Sequence, residues 1–458
     1  MKKASTSPWP KNNEVRSSSR DSESEWRQID VVLNISFTGF TNTVMKTAIV
    51  NIGQLATLAG PQRPRVGSEL LDLGLIANAV LLIEEGSIVA AGPYDELRAH
   101  IPSDAKIIDA CGRLITPGFV DAHTHLVFAG NRAAEFEQRI AGATYQQIAA
   151  AGGGILSTVK QTRAATEDAL LASARSYRDW MLRTGTTTIE AKSGYGLDHA
   201  SELKMLRVLN RLNAEGPATI VPTLLAAHTL PPEYVGHREE YVNWIAEEMI
   251  PEVAEAGLAR YCDVFCDDHA FTVEESRVVL TAARRHGLGL RIHAEQFRPG
   301  TGAALAAELG AATADHLETA TEETLRQLCA ARVQPVLLPT SVFALGRTNY
   351  PPARRMIELG LAIVLATDFN PGSSPVTSMP FVLSLACLMM KLSPAEALTA
   401  ATINAAWSLG LGNRVGSLEI GKQADLLIHE LSDYRELAYY IAAPARPRVM
   451  IAGQEVMH

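Results

Sequence analysis

The chain has 458 residues, 47% of them hydrophobic and 20% charged, with a formal net charge of −9. That composition excludes a wholly disordered chain, and the acidic balance argues against nucleic-acid binding through phosphate contacts, which need a basic face. The length exceeds one ordinary small domain and suits an α/β barrel of about 250 residues with a smaller companion.

Residues 1–45 open on a polar, serine-rich stretch of mixed charge with no apolar segment near Met1. This predicts a disordered extension rather than a signal peptide, with Met45 a candidate internal start. Residues 46–115 carry short β-like runs, such as 79–92 and 105–115, and predict the first part of a small β domain. From 116 to 409 apolar runs alternate with helical stretches, for example 167–185 and 272–287. Eight strand candidates can be placed, at 118–125, 186–191, 219–228, 261–267, 290–296, 312–318, 334–340 and 362–370. Eight β/α units predict a TIM (β/α)8 barrel. Residues 410–458 return to β-like runs (416–431, 446–457). They predict that both ends of the chain share one small β-sandwich domain. No membrane span is expected: the uncharged stretch 369–390 carries Asn370 and three prolines, and its apolar part is shorter than the roughly 20 residues a span needs. Five scattered cysteines read as free thiols in a reducing cytoplasm rather than a disulfide framework.

The chemistry-bearing residues fall at the C-terminal ends of the barrel strands, the face that carries TIM-barrel active sites. His123 and His125 stand two apart, so both project from the same side of a strand and can chelate one divalent ion. His293, His316 and Asp368 end three further apolar strands, where a buried polar group must be paired or coordinated. Three of these imidazoles with the one carboxylate suit Zn²⁺ or Fe²⁺ far better than Mg²⁺. Cys262 and Cys266 lack a second pair and read as buried thiols. Gly152, Gly153 and Gly154 lack the Lys and Ser/Thr of a phosphate loop and read as a loop over the substrate.

Several stretches resemble known proteins. PGFVDAHTH at 117–125 and GSLEIGKQAD at 416–425 are similar to the metal-dependent amidohydrolase superfamily. HLVFAGNR at 125–132, EAKSGYG at 190–196, the pair Ala227 and His228, and TDFNPGSSP at 367–375 narrow the resemblance to the imidazolonepropionase family, over about residues 46–458. The resemblance implies one divalent metal per chain, Zn²⁺ or Fe²⁺, held by His123, His125, His293 and Asp368. It implies that Arg132, Tyr195, His228 and Gln296 contact 4-imidazolone-5-propanoate, and that Asn370, Gly372 and Ser373 form a loop touching substrate or product. Ser373 stands where the family commonly has threonine, and the hydroxyl is kept. The segment 267–271 departs from the family pattern.

The implied reaction is hydrolysis of the ring amide to N-formimidoyl-L-glutamate, in histidine degradation. In it Asp368 could bind the metal and also accept the water's proton. His316 could hydrogen-bond the water, stabilise the oxyanion, or only prop its neighbours. His228 could donate to the ring carbonyl, and Arg132 with Tyr195 could hold the propanoate. Lys192 lies after the second strand, not on the fourth as a carboxylated bridging lysine would, which favours one metal. The family also implies a homodimer. The competing readings are a deaminase or another cyclic amidase, and a non-catalytic scaffold of the same fold. Arg132 and Tyr195 separate the first from the leading reading, because a neutral nucleobase needs no carboxylate clamp.

Overall fold

The computed structural model describes residues 45–143, 147, 152–267, 270–443 and 446–457. The expected N-terminal extension, apart from Met45, and residues 268–269 of the departing segment lie outside them.

Eight strands share one mixed sheet built from both ends of the chain. They are β1 (Lys46–Ala56), β2 (Leu75–Glu84), β3 (Ser87–Pro93), β4 (Lys106–Asp109), β5 (Leu114–Pro117), and then β14 (Leu426–Ile428), β15 (Arg448–Ile451) and β16 (Gln454–Met457). The order is β16-β15-β14-β5-β1-β2-β3, with β4 also paired to β1. β1 is long enough to serve two partners, pairing in parallel with β4 through its first half and β5 through its second. The two layers of the expected sandwich are thus one continuous sheet curled over its own core, in which Ile49, Leu81 and Ile83 meet Leu426, Ile428 and Met450.

The barrel follows as β6 (Phe119–Asp121), β7 (Thr186–Lys192), β8 (Thr219–Ala227), β9 (Tyr261–Cys266), β10 (Gly289–Ala294), β11 (Thr313–His316), β12 (Gln334–Leu337) and β13 (Val364–Leu365). All neighbours pair in parallel and in chain order. β7 is buried at every position, as a parallel strand covered on both faces must be. The crossover helices start where the sequence places caps. Thr166 Oγ1 accepts the Ala169 N–H ahead of the helix Glu167–Arg183, and Thr272 and Glu275 form a reciprocal capping box ahead of Val273–Arg285.

First and last strands meet at a seam. A parallel bridge joins Thr124 to Phe369. The Asp368 N–H donates to His123 O at 3.0 Å and the His125 N–H to Phe369 O at 2.8 Å. Both seam strands are shorter than expected, because side chains claim the backbone at their ends. Asp121 accepts from the N–H and the hydroxyl of Thr367. Glu190 accepts from the Thr124 N–H, and the Thr124 hydroxyl donates to Glu190 O. Asp368 adopts a left-handed conformation (φ 53°) that ends ladder geometry there.

Candidate active site

Five buried side chains converge at the C-terminal mouth of the barrel: His123 and His125 beyond β6, His293 on β10, His316 ending β11, and Asp368 beyond β13. The Nε2 atoms of His123 and His125 each lie 3.5 Å from Asp368 Oδ1. Potential donor atoms form two overlapping groups, His123 with His125 and Asp368, and His123 with His293 and His316, each within 4.8 Å. His123 belongs to both groups, which together contain all four expected ligands and His316.

The cluster fits a divalent transition metal. His123 Nε2, His125 Nδ1 and His293 Nε2 are buried without a hydrogen-bond partner among the described residues, a cost that coordination would remove. Burial pushes the imidazoles of His123 and His125 below their ordinary pKa, which keeps their ring lone pairs available. Burial opposes ionisation of Asp368, but the hydrogen bond with His125 and the neighbouring His316 outweigh it and hold the carboxyl below its usual range. Burial also disfavours a charged His316, yet Glu318 beside it raises that imidazole.

Two further carboxylates aim the ligands. His123 Nδ1 lies 2.6 Å from Asp315 Oδ2, and His293 Nδ1 lies 3.1 Å from Asp263 Oδ1. A carboxylate accepting the rear N–H of an imidazole fixes its tautomer and rotation and raises the basicity of the front nitrogen. The sequence reading passed over both acids. Their signal was an aspartate inside each of the apolar strands β9 and β11. Lys192 Nζ lies 2.8 Å from Glu190 Oε1 and 2.8 Å from Asp263 Oδ2. Burial would lower this ammonium, but Asp263 and Glu190 prevail and hold it above the ordinary lysine value. It is a paired cation within the barrel.

The substrate side is assembled from three loops. Arg132 precedes the helix Ala133–Ile140, and its Nε donates to Thr158 Oγ1 at 3.0 Å. The rest of the guanidinium lies over Gly372. Tyr195 is buried, with its ring centroid 5.9 Å from that of His125 and 5.3 Å from that of His228. The Glu202 carboxylate shapes its loop by accepting the N–H groups of Gly194, Gly196 and Leu197. Asn370 directs its side chain inward. Its Oδ1 accepts from the N–H groups of Gly372 and Ser373, and its Nδ2 donates to Asp368 O and Ser373 Oγ. The amide thus shapes the loop 370–373. Asp267, in the departing segment, accepts the N–H groups of Gln296 and Phe297 at 3.0 Å, so it pins the loop that carries Gln296. The Gln296 amide itself lies 3.5 Å from Ser341 Oγ.

His228 has one ring nitrogen engaged by the backbone. Its Nδ1 lies 2.9 Å from Gly194 O, and a carbonyl can only accept, so Nδ1 carries the proton. Burial drives the imidazole pKa well below its ordinary value. A neutral ring with Nδ1–H presents Nε2 as an acceptor. The glycines Gly152 and Gly154 adopt positive φ ahead of the helix Ile155–Ala164, which presents Thr158 to Arg132. All five cysteines are free, with Cys262 and Cys266 buried on β9.

Comparison with known proteins agrees with this geometry. The amidohydrolase family profile matches residues 114–456. An imidazolonepropionase from Solibacter usitatus (strain Ellin6076) is 55% identical over 89% of this chain and 98% of its own length. Imidazolonepropionases from Symbiobacterium thermophilum and Geobacillus kaustophilus are each 47% identical, over 89% and 88% of this chain and 96% of their own lengths. Among solved structures, a Klebsiella pneumoniae 5-methylcytosine deaminase superposes with a TM-score of 0.67 at 18% identity, covering 90% of this chain and 98% of its own. A Xanthomonas campestris adenosine deaminase with bound zinc gives 0.65 at 18%, covering 90% and 92%. At that identity the likeness establishes the fold alone, a TIM barrel of the amidohydrolase type. The chain belongs to the amidohydrolase family and, within it, to the imidazolonepropionases.

Proposed function

We propose that this chain hydrolyses 4-imidazolone-5-propanoate to N-formimidoyl-L-glutamate, the ring-opening step in histidine degradation. The observation that carries this reading is the pairing of a buried His/Asp cluster with an arginine and a buried tyrosine at the same mouth. Relatives 55% and 47% identical to this chain bear the name of that activity.

Water adds to the ring carbonyl carbon, the carbonyl–nitrogen bond breaks, the carbonyl becomes the new carboxylate, and the departing nitrogen takes a proton. A Zn²⁺ or Fe²⁺ held by His123, His125, His293 and Asp368 would supply Lewis acidity, lowering the pKa of water toward about 7 and polarising the carbonyl. Asp368, ionised at neutral pH, accepts the proton of the attacking water. His316, kept basic by Glu318, stabilises charge on the developing oxyanion or hands on that proton. His228 orients the ring by accepting one of its N–H groups at Nε2. Arg132 grips the propanoate with its free N–H groups, and the Tyr195 phenol donates to the same carboxylate. Gln296 contacts the ring, and the loop of Gly372 and Ser373, shaped by Asn370, closes against the propanoate. The working compartment in this reading is the cytoplasm, in keeping with five free thiols. No helix of the described residues is long and apolar enough to cross a membrane. The working state is a homodimer, which sedimentation of the purified chain tests.

The deciding experiment incubates the purified, metal-loaded protein with 4-imidazolone-5-propanoate and follows N-formimidoyl-L-glutamate by mass spectrometry. Turnover supports the reading. Its absence, with ammonia released from a neutral nucleobase instead, replaces it with a deaminase.

A further inference from the structure

One buried cation is connected to every ligand-bearing segment on the first half of the barrel and to β10. Lys192 ends β7 with no exposed surface. Its Nζ lies 2.8 Å from Asp263 Oδ2, and the other oxygen of that carboxylate holds His293. It lies 2.8 Å from Glu190 Oε1, and the other oxygen of that carboxylate accepts the N–H of Thr124, the residue between His123 and His125. It lies 3.9 Å from Asp315 Oδ2, the oxygen that holds His123. Its own backbone N–H donates to Thr124 O at 2.9 Å. Arg291 supplies a second cation, 3.5 Å from Asp315, with its Nη2 also donating to Ala122 O. Asp263, Asp315 and Glu190 are as fully buried as the two cations.

We propose that Lys192 is a positioning residue for the metal centre, setting the angle and basicity of His123 and His293 through Asp315 and Asp263, and the path of the His123–His125 backbone through Glu190. This rests on reading the five-residue cluster as a metal site. The physical reason is geometric and electrostatic together. A carboxylate with one oxygen on an ammonium and the other on an imidazole cannot rotate without losing one of two charge-assisted contacts. Its charge is also shared, which tempers how strongly it pulls the imidazole proton and so how basic the front nitrogen becomes. Three carboxylates facing only Arg291 would rearrange or take up protons, and each imidazole would follow its partner. A lysine that merely neutralised buried charge would face one acid. This one faces three, each tied to a different part of the ligand set.

The test replaces the resident metal with Co²⁺ in the full chain and measures both its visible spectrum and its affinity by chelator competition. The variants are Lys192→Gln, Lys192→Arg, and the double change Lys192→Gln with Glu190→Gln. The last removes one cation and one anion together, so it keeps the charge balance if the single change fails to fold. Thermal unfolding of the metal-free proteins reports folding separately. We expect Co²⁺ affinity to fall by roughly 10- to 100-fold in both glutamine variants, with altered band positions, and Lys192→Arg to recover part of the affinity. A folded variant whose Co²⁺ affinity stays within about twofold of the parent and whose spectrum superposes on it, however low its Tm, overturns the proposal and makes Lys192 a structural counter-charge. Failure of the parent chain itself to bind Co²⁺ would instead overturn the metal reading on which the proposal rests.

Discussion

Arg132 and Gly372 are so closely apposed that a Cβ built on the glycine would stand 2.3 Å from Arg132 Nη1. Gly372 is therefore a glycine because of what lies over it. Gly372→Ala should displace the guanidinium with only a small loss of stability, because the loop lies partly open to solvent and its amide bonds to Asn370 can persist. We expect kcat/KM for the propanoate substrate to fall about 10- to 100-fold, a cost of about 1.4–2.7 kcal/mol. Arg132→Ala should cost more, roughly 2–5 kcal/mol, with poor rescue by lysine, which lacks the fork. An analogue with a neutral amide in place of the propanoate provides the control. Wild type should discriminate against it and Arg132→Ala should not. Unchanged discrimination in that variant transfers the role to another group.

Metal stoichiometry follows from the cluster. Elemental analysis of active protein should find about one Zn²⁺ or Fe²⁺ per chain. His123→Ala or Asp368→Ala should lose both metal and turnover. Two ions per chain in active protein would refute the single-metal centre.

His316 forms one group of potential donors with His123 and His293, while His123 forms another with His125 and Asp368. His316→Asn should keep the metal and lower kcat by roughly 10²-fold or more. Metal loss in this variant would make His316 a ligand.

A pH effect on stability is expected far from the site. His429, on the chain just beyond β14, lies with its Nε2 2.9 Å from Thr116 Oγ1, and burial pulls its pKa down to about 3. The unfolded chain, with an ordinary histidine pKa of about 6.5, binds this proton where the folded chain does not. Its contribution is thus fully present above about pH 6.5 and is lost as pH falls from there toward 3, at up to about 1.4 kcal/mol per pH unit. His429→Gln should lower stability at pH 8 but flatten its decline between pH 6 and 4, read by urea unfolding across pH. An unchanged slope would show that another group carries the acid sensitivity.

The barrel was legible because its strands are buried on both faces, so each reads as an apolar run closed by a polar residue such as His293 or Asp368. The network beneath those residues was not. Asp263 reaches His293 from the neighbouring strand, and Asp315 reaches His123 and Arg291, contacts set by barrel closure and the register of β9, β10 and β11, which no local pattern encodes. Lys192 was weighed only as a bridging group and set aside, since its partners lie on other strands or two residues back. The tautomer of His228 depends on one carbonyl, Gly194 O, in a distant loop. His316 and Leu317 both take positive φ (78° and 67°), so the turn that swings His316 inward is a tertiary outcome.

The seam between β6 and β13 also governs when the centre can exist during synthesis. His123 and His125 leave the ribosome near the start of the barrel and Asp368 near its end, and the two sides meet along a short seam around the bridge from Thr124 to Phe369. A partly made chain therefore carries imidazoles without their carboxylate and an open sheet edge along β6. Only after residue 369 has emerged can the first strand find the last. Any ion then held by His123 and Asp368 becomes a clasp across the one junction of the barrel that lacks a full strand ladder. Completion of the His/Asp cluster and closure of the ring are in that sense one event.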